Sequence, residues 1–180
     1  CCLTGCGDQA ATYDATTLIV NDDGTFQEVV VEAFDKSYYD ASELESFVKK
    51  ELQEYNLRKV STQISLEEVK VEEGTAKVTI SYKTDEDYRE FNEDTLFVGT
   101  VKEAMEEGYS FDQTFTEYGK TETVSTAKVT ENGNYGIIIT QQATDLVVPN
   151  KILYISENVT ADGKKKAKAN GEECYIIYKK

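Results

Sequence analysis

Histidine and tryptophan are absent from these 180 residues, and proline and methionine occur once each. Without an imidazole the chain holds no His-based catalytic triad, no His-ligated metal and no near-neutral imidazole base. Bases are scarce as well: 19 Lys and Arg against 34 Asp and Glu give a formal charge of -15 at pH 7. A surface of that sign repels phosphate backbones, which argues against nucleic-acid binding, and disfavours direct contact with anionic headgroups. The single proline leaves no proline-rich linker, and no repeat period marks a solenoid. What remains suffices to fold, since 39% hydrophobic residues with 12 Tyr and 7 Phe fill one core of ordinary size.

Four cysteines invite a disulfide framework. Cys1, Cys2 and Cys6 stand too close together to bridge a domain, and only Cys174 lies in the body of the chain. The string Leu3-Thr4-Gly5-Cys6 sets an aliphatic, a hydroxylic and a glycine residue before a cysteine. It resembles the lipobox of bacterial lipoproteins, at which the cysteine is alkylated with diacylglycerol and the signal peptide is cut. The resemblance implies lipidation at Cys6, residues 1–5 as a signal-peptide remnant, and a location on the outer, extracytoplasmic face of the bacterial cell membrane. Gly7-Asp8-Gln9-Ala10-Ala11-Thr12 follows, small, polar and aperiodic, so residues 6–15 read as the lipidated Cys and a flexible tether. Two acyl chains on one residue anchor stably where one does not.

Residues 16–180 read as a single α+β domain, with Gly108 the place for a weak internal boundary. Thr16 to Val20 and Thr25 to Phe34 form a predicted hairpin about Asn21-Asp22-Asp23-Gly24. Ser42 and Glu45 make a capping box before Leu44, Phe47, Val48, Leu52 and Tyr55, whose spacing predicts one long amphipathic helix. A second hairpin turns at Glu73-Gly74. Two short helices follow, one from Thr84 to Asp87 onward and one after a Thr100 and Glu103 capping box, with Gly108 as its stop. Beyond that the chain is β-rich: Phe111 to Tyr118, Thr121 to Val129, Tyr135 to Thr140, Leu146 to Val148, Ile152 to Ile155 and Cys174 to Tyr178 all read as strands. Helices segregated from mainly antiparallel strands define the α+β class.

The candidate constellations are few. Acids cluster at Asp22-Asp23, Asp35 to Asp40, Asp85-Glu86-Asp87 and Glu93-Asp94, and paired carboxylates are what a glycoside hydrolase needs. In so acidic a chain, solvated faces and helix N-termini account for most of them, and no catalytic residue is assigned. Asn21 to Gly24 does not match the spacing of a calcium loop, and one cysteine in the body supplies no zinc or iron-sulfur site, so no metal and no cofactor is expected. Cys174 reads as a small hydrophobe in the last strand. Tyr38-Tyr39 and Tyr109-Ser110-Phe111 are the densest aromatic spots. Asn158-Val159-Thr160 matches a glycosylation acceptor in form alone.

Residues 164 to 180 carry six Lys against two Glu, whereas the preceding residues hold 13 bases against 32 acids. Lys164-Lys165-Lys166-Ala167-Lys168 reads either as a contact for anionic wall polymer or lipid, or as lysines guarding an edge strand, the second being preferred. With its tether, its preference for Lys over Arg and its α+β body, the chain is similar to surface lipoproteins of low-GC Gram-positive bacteria. The expectation is a non-enzymatic, lipid-anchored binding or envelope-associated module. Its partners would be the membrane, through Cys6, and a cell-wall or surface ligand. The alternative is a carboxylate-dependent hydrolase of glycan or cell-wall polymer.

Overall fold

The computed structural model describes residues 13–180, and the lipobox string with Cys6 lies outside the described residues. In chain order the first elements are β1 (Thr17–Val20), β2 (Phe26–Ala33), α1 (Ala41–Lys59), β3 (Ile64–Glu72), β4 (Thr75–Tyr82), α2 (Asp85–Asn92), β5 (Leu96–Thr100) and α3 (Val101–Glu106). There follow β6 (Phe115–Glu117), β7 (Thr123–Val124), α4 (Thr126–Val129), β8 (Gly136–Thr140), β9 (Ala143–Val147), β10 (Ile152–Ser156), β11 (Val159–Ala161), β12 (Lys166–Asn170) and β13 (Cys174–Tyr178).

These strands make an α+β fold of two sheets. The first has seven strands in the order β11-β12-β9-β1-β2-β4-β3, and the second six in the order β5-β8-β13-β10-β6-β7. All pairings are antiparallel except β1 with β9, where Leu18 lies beside Leu146. Gly108 separates no independent sheet, because each sheet takes strands from both sides of it.

Local chemistry sets the turns. Gly24 closes the β1–β2 turn at φ +87°, and the Asp23 carboxylate accepts from the Thr25 amide at 3.0 Å and the Thr25 hydroxyl at 2.6 Å. Glu73 and Gly74 both have positive φ, 49° and 76°, as a two-residue hairpin of this twist requires.

The core lies between the sheets. Leu18, Val20, Phe26, Ile80, Tyr82 and Leu146 of the first pack with Leu96, Ile138, Ile152, Cys174, Ile176 and Tyr178 of the second, and Leu52, Tyr55 and Tyr88 of α1 and α2 extend the same cluster. A second cluster covers the other face of the six-stranded sheet, where Phe97, Ile137, Ile139, Tyr175 and Ile177 meet Val101 and Ala104 of α3, Phe111, and Val129 of α4. With both faces covered, β8 and β13 are buried at every position, so they read as unbroken apolar runs and not as alternating ones.

The long helix is capped by Asp40, not Ser42: the Asp40 carboxylate accepts from the amides of Ser42 at 2.8 Å and Glu43 at 3.0 Å, so Ser42 supplies an orphan donor and is not the cap. Along α1, Leu52 and Tyr55 are buried and Leu44 and Val48 half-buried, but Phe47 is 62% exposed because it lies about a quarter turn around the axis from that stripe. Thr121 to Val129 is not one strand. Only Thr123–Val124 pairs, after which the Ser125 hydroxyl accepts from the Lys128 amide and starts α4, a third short helix that drives Val129 into the core. From Phe111 to Tyr118 only Phe115–Glu117 is strand, since Phe111 turns its ring onto Tyr175, with centroids 5.4 Å apart. The short helices α2 and α3 start at their expected caps, Thr84 and the Thr100–Glu103 capping box, and Gly108 has φ +89°.

Candidate functional site

The lysine strip occupies a different place from the one expected. Lys166 and Lys168 belong to β12, which is paired with β11 on one side and β9 on the other, so they guard no edge. Alternation along β12 buries Ala167 and Ala169 against the core and sends Lys166, Lys168 and Asn170 outward. Lys168 stands across from Asp145 of β9, which in turn stands across from Thr17 of β1. On this outer face of the seven-stranded sheet lies a half-open depression of about 270 Å³ whose lining includes Tyr13, Asp14, Asp145, Asp162, Lys166 and Lys168. Three carboxylates offset two ammonium groups there, so the depression presents mixed charge and not a basic patch. A second, of about 250 Å³, is lined by Asp14, Val31, Glu72, Glu73, Thr75 and Lys77.

The interior holds a constellation that is more unusual chemically. Glu28 of β2 falls on the inward register with Phe26 and Val30, and is 7% exposed. The Tyr82 hydroxyl of β4 reaches one carboxyl oxygen at 3.4 Å and the Tyr88 hydroxyl of α2 the other at 3.3 Å. Tyr88 also meets Gln142 Oε1 in the β8–β9 turn at 3.1 Å, and the Gln142 amide nitrogen donates to Asp94. Asn92 donates to the Tyr82 oxygen at 3.1 Å. Burial raises the Glu28 pKa from its ordinary value against the two tyrosine hydrogen bonds, with the Asp94 charge adding to the rise. Both phenols are pushed well above their usual value, chiefly by burial and then by the Glu28 charge. Glu28 lines neither depression described above nor the two smaller ones at Lys70 to Lys77 and at Glu117 to Tyr154.

A neighbouring group ties α1 to α2. The Tyr55 hydroxyl donates toward Asp87 at 3.0 Å and Glu90 at 3.2 Å, and Lys59 pairs with Glu90 at 2.6 Å. Each partner of that ion pair shifts the other toward its charged form, Lys59 up and Glu90 down.

The acidic clusters read from sequence do not converge. Asp22 accepts from Asn150 at 3.0 Å and Asp23 serves its turn, Asp40 caps α1, and Asp85 accepts from the Val98 amide at 2.9 Å while pairing with Arg89. Of Glu93 and Asp94, the first ends α2 in the left-handed conformation and the second joins the Glu28 group. Cys174 is fully buried, and burial raises its pKa, the opposite of what a nucleophile needs. Tyr38 and Tyr39 form an exposed aromatic pair, with Tyr39 stacked on Phe34 at 4.8 Å. Tyr109 packs on Phe97, and the Ser110 carbonyl accepts from Tyr175 at 2.6 Å. Asn158 bonds to Ser156 and to the Glu173 carbonyl, which ties its amide into the fold.

Sequence reasoning missed Glu28, although a signal existed: one acid in the apolar register of a strand whose neighbours two residues away are Phe26 and Val30. Among the described residues no group of three His, Cys, Asp or Glu side chains gathers as a metal-ligand set, and no helix is long and apolar enough to cross a membrane. The chain matches no protein-family model, no curated protein and no solved structure.

Proposed function

We propose that this chain is a non-enzymatic bacterial lipoprotein, lipid-anchored at the extracytoplasmic face of the cell membrane through diacylglycerol on Cys6, with a body that binds a cell-wall or surface ligand. The observation that carries the reading is the Leu3-Thr4-Gly5-Cys6 string followed at once by a small, polar segment. The place where that segment meets the body supports it. Tyr13 leads into β1, the middle strand of the seven-stranded sheet, so a pull on the tether is borne by a strand paired on both sides, with β2 and with β9. Seven residues from Cys6 to Tyr13 span no more than about 25 Å, which keeps the body near the bilayer. Exposed Tyr38 and Tyr39 and the mixed-charge depression at Tyr13 and Lys168 are the surfaces for a ligand.

The test is expression of the gene with its signal sequence in a bacterial host supplied with labelled fatty acid. The expected result is label on the protein and partition into detergent, with Cys6→Ser unlabelled and released as soluble protein. Membrane retention of Cys6→Ser at the wild-type level would sink the reading.

A second reading, a carboxylate-dependent hydrolase of glycan or cell-wall polymer, has one observation in its favour: burial raises the Glu28 pKa, as a general acid requires. Glu28 lies between the sheets, however, and hydrolysis would need a partner acid at a cleft. Release of reducing ends from purified wall glycan by the wild type, lost in Glu28→Gln, would establish that reading instead.

A further inference from the structure

Proton counting around Glu28 leads to a regulatory device independent of how the protein is anchored. Tyr88 has one hydroxyl proton and two acceptors, Glu28 Oε1 at 3.3 Å and Gln142 Oε1 at 3.1 Å. Turning the Gln142 amide over does not help, because its nitrogen is committed to the Asp94 carboxylate, and a flipped amide would set oxygen against oxygen there. With Glu28 ionised, one of the two acceptors therefore goes without that donor, either the buried Glu28 carboxylate or the part-buried Gln142 oxygen. With a proton on Glu28 Oε1, every group is satisfied: Glu28 donates to the Tyr88 oxygen, Tyr88 donates to Gln142, and Gln142 donates to Asp94. On the other carboxyl oxygen Tyr82 donates at 3.4 Å and itself accepts from Asn92 at 3.1 Å.

We propose that the folded protein keeps a proton on Glu28 in the pH range where an exposed glutamate has lost it, and that this proton locks α2 and the β8–β9 turn onto the seven-stranded sheet. The titratable groups facing Glu28 are Tyr82 from β4, Tyr88 from α2 and Asp94 from the turn after α2; β1 faces it with Leu18 and Val20, and the β8–β9 turn with the neutral Gln142. None of them offers a positive charge to the ionised form. The chain joins strand β2 of the first sheet, through α2, to the turn connecting β8 of the second sheet with β9 of the first. Loss of the proton leaves Gln142 and Glu28 competing for Tyr88, which weakens the one side-chain tie that holds the turn to the Tyr88 hydroxyl of α2.

The sign follows from linkage. A carboxyl whose folded pKa is raised contributes stability that is present below the unfolded value, about 4.3, and lost as pH rises through the folded value. The experiment is a carboxyl carbon NMR titration of the whole 180-residue chain, with amide exchange protection of residues 140–143 followed over the same range. Glu28 should titrate above about 4.3, and protection at 140–143 should fall with the same midpoint. Glu28→Gln, whose amide donates to Tyr88 as the protonated acid does, should abolish that fall. A Glu28 midpoint at or below the ordinary glutamate value would overturn the proposal in the wild type alone. So would an unchanged fall of protection in Glu28→Gln.

Discussion

Leu18 on β1 lies beside Leu146 on β9, each 1% exposed, in the one parallel pairing among the described strands. The contact joins the first hairpin to strands that come after Gly108, and it places both side chains in the core between the sheets.

Leu146→Ala should therefore weaken the whole fold and not one half of it. A buried leucine truncated in a tight core costs about 2–5 kcal/mol. In urea unfolding, the secondary-structure signal and tyrosine fluorescence should shift together to a lower midpoint. Two separated transitions would show that the halves on either side of Gly108 unfold independently.

The cap assignment on α1 is directly testable. Asp40→Ala removes the acceptor for the Ser42 and Glu43 amides and should cost about 1 kcal/mol, whereas Ser42→Ala should change stability by no more than a few tenths. Thermal or urea melts of the two variants decide between the residues, and the reverse order would restore the Ser42 capping box.

Gly136 is required by packing. It pairs with Tyr178 across β8 and β13, and a Cβ at this position would overlap the Tyr178 ring, which is 3% exposed and has no room to swing away. Gly136→Ala should cost about 1–3 kcal/mol through overpacking. Gly136→Ala combined with Tyr178→Leu should recover part of the loss, and a neutral single substitution would contradict the packing described.

The Cys174 thiol should be inert in the native state. It is fully buried between strands, and burial raises its pKa, so both access and thiolate fraction are low. In a chain whose three N-terminal cysteines are replaced by serine, a thiol-specific reagent should label Cys174 only in denaturant, and reductant should leave the melting temperature unchanged. Rapid labelling of the folded protein would refute this.

The lysine strand illustrates where sequence reading stops. Alternating Lys166, Ala167, Lys168 and Ala169 is visible as a strand with one solvated face, but whether that strand ends a sheet depends on Val159–Ala161, three residues too few to announce themselves, pairing on its outer side. The Thr121 to Val129 misreading has a similar origin. Its β-branched residues favour strand locally, and burial of Val129 beneath the second sheet, which no local pattern encodes, decides for a helical turn. Glu28 was legible as an acid in an apolar register. Its partners were not, because Tyr82, Tyr88 and Asp94 lie more than 50 residues further along the chain and Gln142 more than 100.

Short-range signals settle the α+β class, the two hairpins, the positions of the three helices before Gly108 and the chemistry that a chain without histidine lacks, since turn glycines, the caps of α2 and α3 and apolar spacing act over a few residues. The cap of α1, by contrast, falls to Asp40, and the apolar stripe of that helix leaves Phe47 exposed. The assembled fold is what makes β1 run parallel to β9, covers the six-stranded sheet on both faces, and gives Glu28 hydrogen bonds to two tyrosines. Those outcomes depend on contacts between segments far apart in the chain, where burial of apolar area outweighs local preference.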